Sequence, residues 1–244
     1  MRNIDEYTRE YEMLGFENRK VGFRRRVVIE NIKKYPHDNI LEIGCGLEPL
    51  FEYFDNYKKM TIVEPSSVFF KNARNQAQHD ARIECIHAFV EEVVGQLQED
   101  AFDMIIVSGL LHEVENPRIF LREIKRMCGL HTIVHINVPN AHSIHRLLGM
   151  EMSLIGNEFA LSDANVKMQQ HSVFSLNTLK MLVEEEGFHI IEEGSFFIKP
   201  FSSSQMEAGI QQGIFDESLL EGLYKLERHL PGFGSEIYIN IFLK

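Results

Sequence analysis

The stretch "NILEIGCGLEPL", residues 39–50, sets a short apolar run against a turn holding two glycines around one cysteine, with a proline where a third glycine would complete a dinucleotide fingerprint. A glycine turn between a buried strand and a helix lets backbone approach a ligand and aims helix N-terminal amides at it, and Gly44, Cys45 and Gly46 supply that turn. Pro49 stands three positions after Gly46, where a pyrophosphate would need a small residue, and no Lys-Ser/Thr pair follows. The pattern therefore favours a ligand without a pyrophosphate. The next strand ends in "TIVEPS", so Glu64 lies at the neighbouring strand tip, where a carboxylate can accept both hydroxyls of a ribose, with Pro65 and Ser66 beside it. The ligand is thus read as a nucleoside. Its adenine would lie against His87, Ala88 and Phe89, which end the third strand in "IECIHAFVEEV", and Ser108 and Gly109 of "IIVSGLLHEVENP" would floor the pocket.

Working outward, apolar runs at residues 39–43, 60–63, 82–86, 102–107 and 130–138 alternate with segments of helical period. Several runs are apolar on successive residues, as strands covered on both faces are. The pattern predicts an α/β, Rossmann-like doubly wound, mainly parallel seven-stranded sheet with a late antiparallel strand and helices on both faces. Ser66 and Asn116-Pro117 mark helix starts, and Gly129 marks a stop. Residues 139–172 lose the rhythm and read as a substrate insertion over the carboxyl end of the sheet. Regularity returns with Ser175 as a cap, Leu176, Leu179, Leu182 and Val183 as a buried stripe, and Gly187 as terminator. A strand, a helical insertion over 200–231 and a last strand with Ile237, Ile239 and Ile241 alternating complete the chain. One domain over 1–244 is expected: a helical lid over 1–36, a cofactor-binding core over 37–138, the insertion, and the remainder of the sheet over 173–244.

The E-x-G-x-G of Glu42 to Gly46, the acidic strand tip Glu64 and "FDMIIVSGLLHEVENPRIFLREI" at residues 102–124 together resemble class I S-adenosylmethionine-dependent methyltransferases. The resemblance implies S-adenosylmethionine as cofactor, with Glu42, Gly44, Cys45 and Gly46 at its methionine moiety, Glu64 on the ribose, and the residues around Ala88 bracketing the adenine. Many relatives carry an acidic residue where this chain has His87-Ala88, so backbone or Glu91 would read the adenine amino group instead. The segments "NVPNAHSIHRLLG", "QQHSVFSLNTLKMLVEEEGF" and "KPFSSSQM" are similar to a subgroup that modifies small molecules and saccharides.

Composition narrows the partners. With 25 Lys and Arg against 36 Asp and Glu among 244 residues, the formal charge is -11, which repels extended polyanions and argues against nucleic acid. Three cysteines in apolar surroundings read as reduced thiols in a cytoplasmic protein. No apolar run has the length of a signal peptide core or a membrane span. The partner is read as a small molecule, with a phosphorylated or nucleotide-linked sugar as one form of it, and a homodimer stays open.

Transfer to a hydroxyl also needs a base, and histidine is matched to that task near neutral pH. Four histidines lie near strand ends: His112, His142, His145 and His171. His142 and His145, three apart, would share a helical face with Arg146 close by, and no carboxylate stands at ligand spacing with them, so no metal is expected. Tyr11, Arg19, Asn140 and Arg146 are the candidate substrate-binding residues, with Lys20 and Arg24 in the same basic N-terminal run. Each has a plainer reading as a packed or solvated side chain. A quinone precursor, amine or carboxylate acceptor, a nicotinamide-dependent oxidoreductase and a non-catalytic nucleoside-binding module remain as alternatives.

Overall fold

The computed structural model describes residues 3–12, 15–97 and 101–243. In chain order the elements are α1 (Ile4–Glu12), α2 (Gly15–Ile32), β1 (Asn39–Ile43), β2 (Lys59–Val63), α3 (Ser67–Ala77), β3 (Ile83–Ile86), α4 (Val90–Val93), β4 (Met104–Ser108), α5 (Pro117–Met127) and β5 (Ile133–Pro139). There follow α6 (Ile144–Glu151), α7 (Asp163–Lys167), α8 (Leu176–Glu185), β6 (Phe188–Phe196), α9 (Ser203–Gln211), α10 (Glu217–Leu226) and β7 (Glu236–Leu243). The seven strands form one sheet in the order β3-β2-β1-β4-β5-β7-β6, in which β7 runs against both its neighbours and the other pairs are parallel. The strand order reverses between β1 and β4, the place where such sheets open a crevice at their carboxyl ends.

Successive residues of the central strands enter opposite cores, which is why their sequences are apolar without alternation. Leu41, Ile43, Ile105 and Val107 pack with Phe120, Ile124, Leu179 and Val183 of α5 and α8. Ile40, Met104 and Ile106 pack with Val28 and Ile32 of α2 and Ala73 of α3. The two tips that matter most, on β1 and β4, are thereby held from both sides.

The last strand behaves differently. Ile237, Ile239 and Ile241 enter the first core, and the other face carries Glu236, Tyr238 and Asn240. An alternating strand ordinarily wets its polar face, but here α2 covers much of it. His135 Nδ1 and Asn240 Oδ1 are 2.8 Å apart, Asn240 Nδ2 donates to Asn31 Oδ1 at 2.7 Å, and Asn137 Nδ2 donates to Glu236 Oε2 at 2.9 Å. A polar seam thus runs under α2 from the sheet interior to the crevice.

Capping follows the sequence. Ser66 accepts from Phe69 N, Asn116 accepts from Arg118 N and Ile119 N with Pro117 at the first helical position, and Ser175 accepts from Thr178 N. Two expectations are corrected. No α-helix follows the glycine turn: the chain makes only a 3-10 turn at Leu50–Glu52 before β2. Pro49 has no amide to donate and disfavours helical backbone at the residue before it, and β2 begins too soon for a helix to propagate. Helix α5 ends at Met127 on an extended Cys128, so Gly129 is not its left-handed terminator. Among the described residues no helix is long and apolar enough to cross a membrane.

Candidate functional site

The sharpest local demand is at the glycine turn. Gly44 and Gly46 have φ of +75° and +62°, where side chains other than glycine are strained, and a Cβ on Gly46 would point toward Tyr11 Oη at 3.8 Å. Beneath the turn, fully buried Glu42 accepts from Arg25 Nη1 at 2.7 Å and from Leu50 N at 2.9 Å. Arg25 Nη2 also donates to the backbone oxygens of Cys45 and Glu48. One guanidinium from α2 therefore fastens the carboxylate of β1 to the backbone on both sides of Gly46. Burial pushes the Glu42 carboxyl up and Arg25 opposes it. Glu42 does not line the crevice, so its place is under the turn and not beside a ligand.

Glu64 directly follows β2, is 4 % exposed, and accepts from Ser66 N at 2.7 Å and Gly46 N at 3.2 Å. Burial pushes its carboxyl up to about 7, against the pull of those amides and of the Cys45 thiol. The Cys45 thiol is itself pushed up, first by burial and then by Glu64. A carboxylate held this far from water at the mouth of a glycine turn has strong reason to take hydroxyl donors.

Around these tips lies a cavity of about 1130 Å³. Gly44, Cys45, Gly46, Glu64, Pro65, Ser66 and Phe89 line one end of it, with Glu91 nearby. Ser108 and Gly109 form the floor, and Ser108 Oγ is buried with no hydrogen-bond partner among the described residues. Gly109 has φ of +68°, and a Cβ there would stand 3.3 Å from Arg24 Nη1, so this glycine also makes room for that guanidinium. His87 and Ala88 stay outside the cavity. The His87 ring stacks on Phe70 at 4.9 Å with Nε2 at 3.1 Å from Pro65 O, and Ala88 packs on the core.

Helix α1 closes the top. Thr8 Oγ1 and Ser66 Oγ are 2.9 Å apart in a buried contact, Tyr7 Oη donates to Glu113 Oε1 at 3.0 Å, and the Tyr11 ring meets Phe69 edge-on at 5.7 Å. Its far side is tied to the insertion by Glu10 with Lys167 at 2.7 Å and by Asn3 with Gln169.

Of the four histidines, His112 and His145 reach the cavity. His112 is 4 % exposed, with Nε2 3.9 Å from Glu113 Oε1. His145 lies on α6, and its amide donates to Lys199 O at 3.2 Å. His142 does not share its helical face: α6 begins only at Ile144, which leaves His142 before the helix, with its amide on Asn140 Oδ1 and its ring near Phe159. His171 is exposed, its amide donating to His112 O. Tyr11, Asn140 and Arg146 line the cavity, whereas Arg19 points away and pairs with Glu217 at 2.6 Å. Lys20 and Arg24, one helical turn apart on the opposite face of α2, enter the cavity in its place. Sequence reasoning missed Lys199 and Ser235, which line the cavity from the segment after β6 and the residue before β7, and Glu236, which pairs with Lys20 and Arg24 behind it; none carries a local motif.

Residues 8–193, well over half of the chain, match the family described as a methyltransferase domain. Thiol S-methyltransferase TMT1B of Mus musculus is 26 % identical over 115 residues, covering 45 % of this chain and 47 % of that protein. The chain thus spans about half the length of that curated relative, and only 2 % of a polyketide synthase-nonribosomal peptide synthetase of Pyricularia grisea that it matches at 30 % identity over 102 residues, 38 % of this chain. Among solved structures, the plantazolicin methyltransferase BamL, in complex with a triazolic desmethylPZN analog and SAH, superposes with a TM-score of 0.59 at 15 % identity, covering 93 % of this chain and 86 % of that one. The glycine turn, the buried acid at the second strand tip and the sheet order agree with that match: the chain belongs to the methyltransferase domain family.

Proposed function

We propose that the chain methylates a hydroxyl of a small molecule, a sugar derivative among them, with a cavity histidine as general base. When bound, S-adenosylmethionine supplies an electrophilic methyl group on a sulfonium. The residues of the chain do the rest. Gly44 and Gly46 present backbone to the methionine moiety, Glu64 takes the ribose hydroxyls, and Phe89 with Glu91 lies along the adenine. Ser108 Oγ offers an unused donor and acceptor at the floor. Helix α1 acts as the lid that excludes water, which strengthens every polar contact beneath it.

The observation that carries this reading is the joint presence of His112 and His145 on the one cavity that also holds Glu64 and the glycine turn. Either imidazole takes the acceptor proton as the methyl is transferred, and a carboxylate such as Glu113 beside His112 stabilises the imidazolium formed. Proximity and orientation in the closed cavity supply the larger part of the effect, on the order of 7–11 kcal/mol.

Turnover with isotopically labelled cofactor against panels of alcohols, sugars, amines, thiols and carboxylates tests the acceptor. His112→Gln and His145→Gln, measured separately with the best acceptor, test the base: one of them lowers kcat by roughly 10²–10⁴-fold with S-adenosylhomocysteine affinity unchanged. Transfer to amines or thiols but to no alcohol, or both variants within a few-fold of wild type, would sink the hydroxyl and base assignment.

A further inference from the structure

The cavity carries a cluster of cations that the chain's acidic composition does not explain. At the end lined by β1 to β3 stand Glu48, Glu64, Glu91 and Glu92 with Arg25 beneath the turn, Glu113, Glu115 and Asp163 line the wall, and α2, α6 and the segment after β6 bring four further cations, Lys20, Arg24, Arg146 and Lys199. The acidic end suits a nucleoside diol and a sulfonium. The basic end has no function in that half of the reaction.

Its cations are built in, not laid on the surface. Lys199 is 4 % exposed, with Nζ donating to Ser203 Oγ at 3.0 Å and lying 5.9 Å from the Phe16 ring centre. Lys20 is 7 % exposed and approaches Glu236 Oε1 at 3.3 Å, while Arg24 grips Glu236 with two bonds of 2.8 and 2.5 Å. Arg146 makes its hydrogen bonds to the backbone oxygens of Glu158 and Ala160 and to Asn165 Oδ1, and no carboxylate partners it among the described residues. Burial pulls the basicity of that guanidinium down, which a bound anion would reverse.

An independent observation points the same way. Ser235, next to Glu236, is 3 % exposed, lines the cavity, and its Oγ has no hydrogen-bond partner among the described residues. A buried hydroxyl left unmade costs free energy unless a ligand takes it. Beyond this polar end the insertion contributes Leu154, Ile155 and Leu161 to the wall, and Leu154 and Leu161 remain exposed, at 71 % and 42 %.

On the assignment of the cavity to a methyltransferase reaction, we infer that the methyl acceptor is an amphiphilic anion, its carboxylate or phosphate group held by Lys199, Ser235 and Arg146 and its apolar body laid along Leu154, Ile155 and Leu161. Arg24 and Lys20, fixed by Glu236, add field behind that group and set its distance from Gly109 and the reaction centre. The charge-assisted bonds orient the acceptor, and the apolar wall supplies affinity that grows with chain length.

Calorimetric titration of the whole protein, first with S-adenosylhomocysteine and then, at saturation, with octanoate, octyl phosphate, 1-octanol and octylamine, tests this at fixed ionic strength. The expected result is binding of octanoate, octyl phosphate or both, at least tenfold tighter than the alcohol and the amine. Binding of one anion alone identifies the group as carboxylate or phosphate. Affinity for the bound anion rises by up to about fourfold per added methylene between butyl and octyl chains. Lys199→Gln and Ser235→Ala each weaken the anion by roughly five- to tenfold, leaving S-adenosylhomocysteine affinity within error. Tight cofactor-product binding with no preference for the anions, or with both variants indistinguishable from wild type, overturns the anion site and leaves the methyltransferase reading intact. Failure of S-adenosylhomocysteine to bind removes that reading and the anion site with it. Should Lys199→Gln unfold, Ser235→Ala alone decides, because it removes one oxygen and no charge.

Discussion

The two ends of the cavity are built on different length scales. The cofactor end is local: Glu42, Gly44, Gly46 and Glu64 span 23 residues of two adjacent parallel strands, and the side-chain hydrogen bonds of the two carboxylates reach 2 to 19 residues along the chain. The acceptor end is assembled from a distance. Arg24 and Glu236 are 212 residues apart, Asn137 and Glu236 are 99 apart, and Lys199 and His145 meet through backbone across separate elements. The first end can be preserved by keeping a short segment, and the second only by keeping the whole sheet. Evolving a new acceptor therefore touches parts that leave the cofactor turn alone.

The contrast is broken most forcefully by exchanging the buried charges at each end. Arg25→Leu leaves Glu42 buried without its cation and should cost about 3–5 kcal/mol, read from the urea midpoint, together with loss of S-adenosylhomocysteine binding. Glu236→Leu strands Arg24 and Lys20 at similar expense, but the surviving folded protein should bind S-adenosylhomocysteine as wild type does. Equal loss of cofactor binding in both would erase the division into two ends.

Glu64→Gln sharpens it. Calorimetry should show S-adenosylhomocysteine affinity falling by about 10- to 150-fold, in keeping with the worth of charge-assisted bonds of about 1.5–3 kcal/mol. Stability moves the opposite way. Because the folded carboxyl titrates near 7 against an ordinary 4.5, the contribution of Glu64 to stability is fully present below pH 4.5 and is lost as pH rises through 7. The ligand-free variant should then melt higher than wild type at pH 8 by roughly 1–3 kcal/mol equivalent, and the gain should vanish by pH 4.5.

The seam beneath the acceptor end titrates in the other sense. Burial holds His135 down to about 4 against an ordinary 6.5, so its contribution is complete above pH 6.5 and is lost as pH falls through 4. His135→Gln should flatten the stability profile across that window by roughly 2 kcal/mol, as chemical denaturation at each pH would show. Smallest is the lid. Thr8→Val removes one buried bond to Ser66 and should cost about 1 kcal/mol with a few-fold weaker cofactor. Lys167→Ala, which removes a largely exposed ion pair to Glu10, should change either quantity by less than about 1 kcal/mol.

The amino-acid sequence by itself determined the sheet, its helices' caps and the cofactor turn. Strand patterning, Ser66, Asn116-Pro117 and Ser175, and the spacing from Gly44 to Glu64 act through contacts a few residues long or through one strand pair, so they leave a readable period. The absence of a helix after Gly46 was written in Pro49 and was outweighed there by the expectation attached to a glycine turn. Only the tertiary structure decided the rest. Which face of α2 turns inward separates Lys20, Arg24 and Arg25 from Arg19, and no period in a uniformly basic run marks that choice. His145 parts from His142 because α6 begins between them, and Lys199, Ser235 and Glu236 become neighbours because β7 threads between β5 and β6. Long-range packing fixes these positions, and packing constrains volume and partner, not the local order of residues.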